Sequence, residues 1–149
     1  MIRILVDADL ILESLINRHN CVEDVKKICC NMLHPLIQIY ITDVGRQKIY
    51  DYISRLQNTH IAEIVINWLQ EKIQICFVDQ GILQQARSSP LRDFESAVEL
   101  VCVRTHQLDA IVTHKREDFT EVPHQFCVWS ITDLCTRANL ESQLQANIS

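Results

Sequence analysis

Ile2-Arg3-Ile4-Leu5-Val6, followed at once by Asp7-Ala8-Asp9, is the stretch on which the architecture turns. A short, β-branched, nearly continuous apolar run is the mark of a strand covered on both faces, as in a parallel sheet. Runs of the same character recur at Leu36–Ile41, Ile73–Val78 and Ala110–Thr113, with Phe126–Trp129 a weaker fifth. The segments between them are long enough for crossover helices, expected over Leu10–Asn17, Val22–Leu33, Asp43–Leu56, Ile61–Gln70, Gln80–Arg87 and Phe94–His106. Strands alternating with helices predict an α/β protein with three layers, α/β/α, around a mostly parallel central sheet of four to five strands.

Two of these helices can be read by face. After Asp93, the residues Phe94, Ala97, Val98, Val101, Cys102 and Thr105 recur at the spacing of one helical face, which leaves Glu95 and Glu99 on the opposite flank, Glu95 as a solvent-facing residue or a secondary ligand and Glu99 as a solvated one. The start of this helix lies either at Ser89 with Pro90 or at Asp93 itself. The helix over Asp43–Leu56 is expected to bury Gly45, Ile49, Tyr52, Ile53 and Leu56, with Thr42 as its cap. Residues 1–140 read as a single domain, and residues 141–149 as a polar C-terminal tail free to fray.

Composition narrows the function. The 149 residues are 48% hydrophobic and 22% charged, an ordinary globular balance for one domain. Only Gly45 and Gly81 occur, where average usage gives about ten, so no Gly-rich phosphate loop can be written. Fourteen basic against nineteen acidic side chains give a net charge of −5, which argues against a broad basic nucleic-acid surface. Any phosphate handled here needs a local basic cluster or a bound cation. The seven cysteines are odd in number, hold no C-x-x-C pair and mostly sit among aliphatic residues, so they read as reduced core thiols, with vicinal Cys29-Cys30 incidental. No apolar stretch approaches the ~18 residues of a membrane span, and a soluble, cytoplasmic protein without membrane association is expected.

In an open parallel sheet, ligands bind outside the carboxyl ends of the strands, where strand order reverses. Acids gather there: Asp7 and Asp9 after the first strand, Asp43 after the second, Asp79 after the third, and Glu117-Asp118 in the loop after the fourth. One reading brings Asp7, Asp93 and Asp118 together as ligands of one or two Mg²⁺ or Mn²⁺ ions, because hard cations take oxygen donors and crowded carboxylates need a cation to stay ionised. The competing reading is local: Asp, Ser and Thr cap helices, and each of these positions precedes a helix or turn. Beside the acids, His114, Lys115 and Arg116 form a local basic patch, either a grip for RNA phosphates or a solvated loop. Trp68 and Trp129 sit in apolar runs without interleaved basic residues, which suits core or interface anchors better than base-stacking platforms.

Asp93-Phe94-Glu95-Ser96-Ala97-Val98-Glu99-Leu100, then Leu108-Asp109-Ala110-Ile111-Val112-Thr113 and Glu117-Asp118-Phe119, resembles the C-terminal half of a PIN domain; Ile4-Leu5-Val6-Asp7-Ala8-Asp9-Leu10-Ile11-Leu12 resembles its first strand and turn. The resemblance implies a Mg²⁺- or Mn²⁺-dependent endoribonuclease similar to the VapC-like toxins of toxin–antitoxin pairs. It further implies RNA as substrate, an antitoxin-like protein as partner and a homodimer. Carried over by position, it makes Asp7 the first-strand metal ligand and Asp93 and Asp118 the others, and it makes Thr113 the hydroxyl that positions water or phosphate. Asp9, Ser96, His114, Lys115 and Arg116 would line the substrate. Three positions depart from the family pattern: Ser96, Lys48 and Lys115 stand where the family places acidic or amide ligands, and Asp51 lies too far round its helix to replace Lys48. These departures leave a second reading, a catalytically degenerate scaffold that binds RNA or a partner protein. Asp7-Ala8-Asp9 also resembles the D-x-D signature of haloacid-dehalogenase-like phosphohydrolases, in which the first Asp is the nucleophile and the second a general acid.

Overall fold

The computed structural model describes residues 1–16, 34–121 and 127–148. The helix expected over Val22–Leu33 and residues Cys21, Cys29, Cys30 and Phe126 lie outside them. Five strands form one all-parallel sheet: β1 (Ile2–Val6), β2 (Ile37–Thr42), β3 (Gln74–Cys76), β4 (Ala110–Val112) and β5 (Val128–Trp129). Their order is β3-β2-β1-β4-β5. The chain builds outward from β1 to one side, then returns to build β4 and β5 on the other, so the order reverses between β1 and β4 and opens a crevice at their carboxyl ends.

Six helices cover the sheet among the described residues: α1 (Ala8–Ile16), α2 (Asp43–Leu56), α3 (Thr59–Lys72), α4 (Gln80–Arg87), α5 (Phe94–Thr105) and α6 (Ile131–Ile148). The pleat of β1 divides the core. Ile2, Ile4 and Val6 pack with apolar residues of α1, α2, α3 and α6, whereas Leu5 packs on the opposite face with α4 and α5. Burial on both faces is why this strand has no polar alternation. No helix among the described residues is long and apolar enough to cross a membrane.

The start of α2 follows the expected cap: Thr42 Oγ1 accepts from the Gly45 amide at 2.8 Å. A Cβ on Gly45 would stand 3.1 Å from the Ala8 Cβ, so glycine allows α2 to begin hard against α1. Gly45, Ile49 and Ile53 are buried as expected, but Tyr52 is only half-buried and Leu56 is exposed. A larger correction concerns α5, which is buried without a break from Ser96 to Val103. Glu99, read as a solvated residue, is inside; Phe94, read as core, is exposed. The helix lies between the sheet and α4, and a helix covered on two sides has no polar face to reveal its orientation.

α6 was not expected. Its start is a reciprocal box in which Asp133 Oδ2 accepts from the Ser130 amide at 3.0 Å and Ser130 Oγ from the Asp133 amide at 3.1 Å. Ile131, Leu134 and Ala138 bury its inner stripe, and residues 141–148 continue the same helix. Cys76 and Cys102 are buried free thiols. Burial pushes Cys76 up to about 11 and Cys102 up to about 12, so both are inert packing groups.

Candidate metal centre

The register that pairs Val6 with Val112 sets Asp7 beside Thr113 at the ends of β1 and β4. Asp7 N–H still donates to the Val112 carbonyl at 3.0 Å, so the ladder holds the aspartate's backbone as part of the sheet. Both carboxylate oxygens are positioned: Oδ2 accepts from Thr113 Oγ1 at 2.9 Å and Oδ1 from the Asp9 amide at 3.0 Å. Asp7 is 3% exposed and Thr113 fully buried. Burial pushes the Asp7 carboxyl up, in spite of these two hydrogen bonds, which work to lower it.

α5 brings two more carboxylates to this point. Asp7, Glu95 and Glu99 each offer an oxygen, and the three lie within 4.8 Å of one another. Glu95 is half-exposed at the mouth, whereas Glu99, one helical turn deeper, is 4% exposed. Burial first, and then the charges of Asp7 and Glu95, hold the Glu99 carboxyl well above the usual range, and among the described residues no hydrogen bond offsets this.

The outer half of the rim is different. Asp9 sits at the first turn of α1 with an ammonium group on each oxygen: Lys48 Nζ from α2 at 2.6 Å on Oδ1, and Lys115 Nζ from the loop after β4 on Oδ2. Lys48 also donates to both Glu95 oxygens, at 2.8 and 3.0 Å. Burial acts to raise Asp9, but its bonds to Lys115 and Lys48 outweigh it and hold the carboxyl below the usual range. Both lysines answer in kind: desolvation works against their charge, and the facing carboxylates more than restore it, so both titrate above the ordinary lysine range.

The remaining sequence-derived site residues fall outside this acid group. Asp93 is exposed and caps α5, its Oδ2 accepting from the Ser96 amide at 3.0 Å and the Ser96 hydroxyl at 2.7 Å. The local reading therefore describes its bonds, and buried Ser96 serves the same cap. Asp118 lies in a short 3-10 turn over Arg116–Phe119 and takes no part in the carboxylate group with Asp7. His114 meets Glu13 at 3.1 Å, and Arg116 is exposed, 3.8 Å from Asp133. Asp51 is exposed and accepts from Gln47 at 2.9 Å. Glu95, expected as a solvent-facing residue or secondary ligand, and Glu99, expected in solvent, are the acids that join Asp7. Their spacing of four places both on one side of a helix, and Glu99 follows Ser96 by three, so it brings a carboxylate to the same side of α5 as Ser96.

The donor set suits one hard divalent cation: three carboxylates converge at the spacing of one coordination shell, and burial penalises the negative charge of Asp7 and Glu99. It does not suit two, because Asp9 is fully engaged by lysines. The sequence profile of the PIN domain matches residues 3–117. The chain belongs to the PIN-domain family. No curated protein matches it. Among solved structures, this PIN domain is similar in fold to a toxin–antitoxin complex from Klebsiella pneumoniae, with 14% identity, a TM-score of 0.60, and 85% of this chain and 96% of that chain covered. It is similar also to VapBC2 from Rickettsia felis bound to a promoter DNA fragment, with 6% identity, a TM-score of 0.62, and 87% and 98% covered. A third is the DNA-bound VapBC from Salmonella typhimurium, with 10% identity, a TM-score of 0.61, and 88% and 99% covered. PIN-domain membership corrects the haloacid-dehalogenase alternative, whose general acid would be Asp9; a carboxylate held ionised between two ammonium groups has no proton to give.

Proposed function

We propose that this PIN domain is a VapC-like toxin, a cytoplasmic endoribonuclease that requires Mg²⁺ or Mn²⁺, forms a homodimer and is neutralised by an antitoxin-like partner chain. The observation that carries the reading is the convergence of the Asp7, Glu95 and Glu99 carboxylates where the strand order reverses. The likeness to toxin–antitoxin complexes supports the partner. Asp7 and Glu99 would hold the cation, with Glu95 shared between it and Lys48. When bound, the ion supplies a Lewis acid for the phosphodiester and a water of lowered pKa. Thr113 fixes the Asp7 carboxylate in orientation, as a partner behind a ligand does. Lys115, His114 and Arg116, consecutive in the loop after β4, would meet phosphate; Asp93 and Asp118, which lie outside the acid group, would act on the helix and loop that frame it.

The test is cleavage of a structured RNA with Mn²⁺, using wild type and Asp7→Asn. Cleavage is expected to need the metal, to stop with EDTA and to vanish in Asp7→Asn, whose melting curve stays cooperative. Cleavage that survives either treatment overturns the reading. The lysines on Asp9 favour a second reading, a non-catalytic scaffold that binds RNA or a partner protein; absence of any Mn²⁺ heat in titration calorimetry would select it.

A further inference from the structure

Lys48 is placed as a cation bridge rather than as a surface residue. Its Nζ stands 2.6 Å from Asp9 Oδ1 on α1 and 2.8 Å from Glu95 Oε2 on α5, and so joins carboxylates from two separate elements. Oxygen donors surround Mg²⁺ at about 2.0–2.1 Å; the ammonium nitrogen stands at longer range but bridges the same two carboxylates that a metal ion placed there would bridge. Lys115 arrives from a third element and covers the other Asp9 oxygen. Resting on the metal-centre reading above, we infer that Lys48 and Lys115 are built-in counter-cations occupying the place of a second metal ion, so that this rim takes a single divalent cation, between Asp7 and Glu99.

The charges agree with that count. Asp7, Asp9, Glu95 and Glu99 are four carboxylates, and the two ammonium groups leave an excess of two negative charges. One divalent ion neutralises this excess, and a second would leave the rim positive by the same amount, at short range. The substitution is electrostatic only. An ammonium group is no Lewis acid, so it cannot ligate a water and lower its pKa as a metal ion does; Lys48 and Lys115 position and neutralise, and any activated water belongs to the single ion.

Mn²⁺ binding to the full chain, counted by calorimetry and by the electron paramagnetic resonance of free Mn²⁺, tests this without reference to activity. Wild type is expected to bind one ion, and Lys48→Met/Lys115→Met two, the second held by the freed Asp9 and Glu95. Should the double variant fail to fold, Lys48→Met alone removes the bridge and is expected to gain the same ion. Two ions in wild type, or one ion in wild type and still one in the lysine variants, overturns the inference while leaving the metal centre standing. No ion in wild type overturns the metal-centre reading itself, and with it this one.

Discussion

Asp7 and Asp9 stand two residues apart at the end of β1, share the same chemistry, and end in opposite electrostatic conditions. Burial raises the Asp7 carboxyl, and its neighbours Glu95 and Glu99 are acids. Burial acts on Asp9 in the same direction, but two lysines reverse the outcome. Among the described residues, no lysine hydrogen-bonds Asp7 or Glu99, whereas Asp9 and Glu95 are bonded by lysines. In a family whose sites are assembled from carboxylates, the position of each acid says less about its role than what the neighbouring helix brings against it.

The sharpest way to break this comparison is to neutralise each aspartate separately. Asp7→Asn removes a metal ligand and should cost RNA cleavage about 100-fold or more; Asp9→Asn disturbs only the groups behind Glu95 and should cost about 10-fold. Rates measured at saturating Mn²⁺ check this, and equal losses would show that the two halves are one site.

Stability in EDTA separates the halves by pH. Glu99 and Asp7 have raised folded-state pKa values, so their contribution is complete below the ordinary carboxylate range and is lost as pH climbs through the raised values. Asp9 is lowered, so its contribution is present above the ordinary range and is lost as pH falls through its folded value. Glu99→Gln should therefore stabilise the metal-free protein at neutral pH by about 1–3 kcal/mol, several degrees in Tm for a chain of this size, and flatten its decline with rising pH. Mn²⁺ should erase the advantage, because it stabilises only the protein that keeps its ligand. Thermal melts across pH 4–8 decide it; a metal-free variant less stable than wild type at neutral pH would mean that Glu99 is satisfied without an ion.

What the sequence made legible follows the same division. The β-branched run Ile2–Val6 and its counterparts gave the strands, and with them the five-stranded parallel sheet and the rim on which Asp7 and Thr113 meet, because a strand buried on both faces has little freedom in composition. The PIN resemblance also held, since its motifs are local in sequence. Helix orientation was harder. α5 is covered by both the sheet and α4, so apolar spacing could not assign Glu99 to the inside, and a buried glutamate is rare enough to be read as solvated. Asp93 shows the converse error: capping and ligation ask for the same residue at the same place, and only coordinates separate them. α6 was overlooked although Ser130 and Asp133 spell a capping box, because its apolar stripe of Ile131, Leu134 and Ala138 is thin. The lysines on Asp9 were visible as departures; that both reach the same carboxylate depends on how α2 and the loop after β4 approach α1.

The smallest effect tests the basic half alone. Lys48 is 38% exposed and Asp9 21%, so their attraction is partly screened and the pair should contribute only about 0.2–1 kcal/mol to stability at low salt. Screening shortens from about 10 Å at 0.1 M to about 3 Å at 1 M. Lys48→Met, melted in EDTA, should thus lie slightly below wild type in dilute buffer and converge with it in 1 M NaCl, while the Glu99→Gln difference, set by burial, should persist at both salt concentrations. A Lys48→Met deficit that survives high salt would mean that the lysine stem supplies packing rather than charge, and Asp9 would then differ from Asp7 by its exposure and not by its partners.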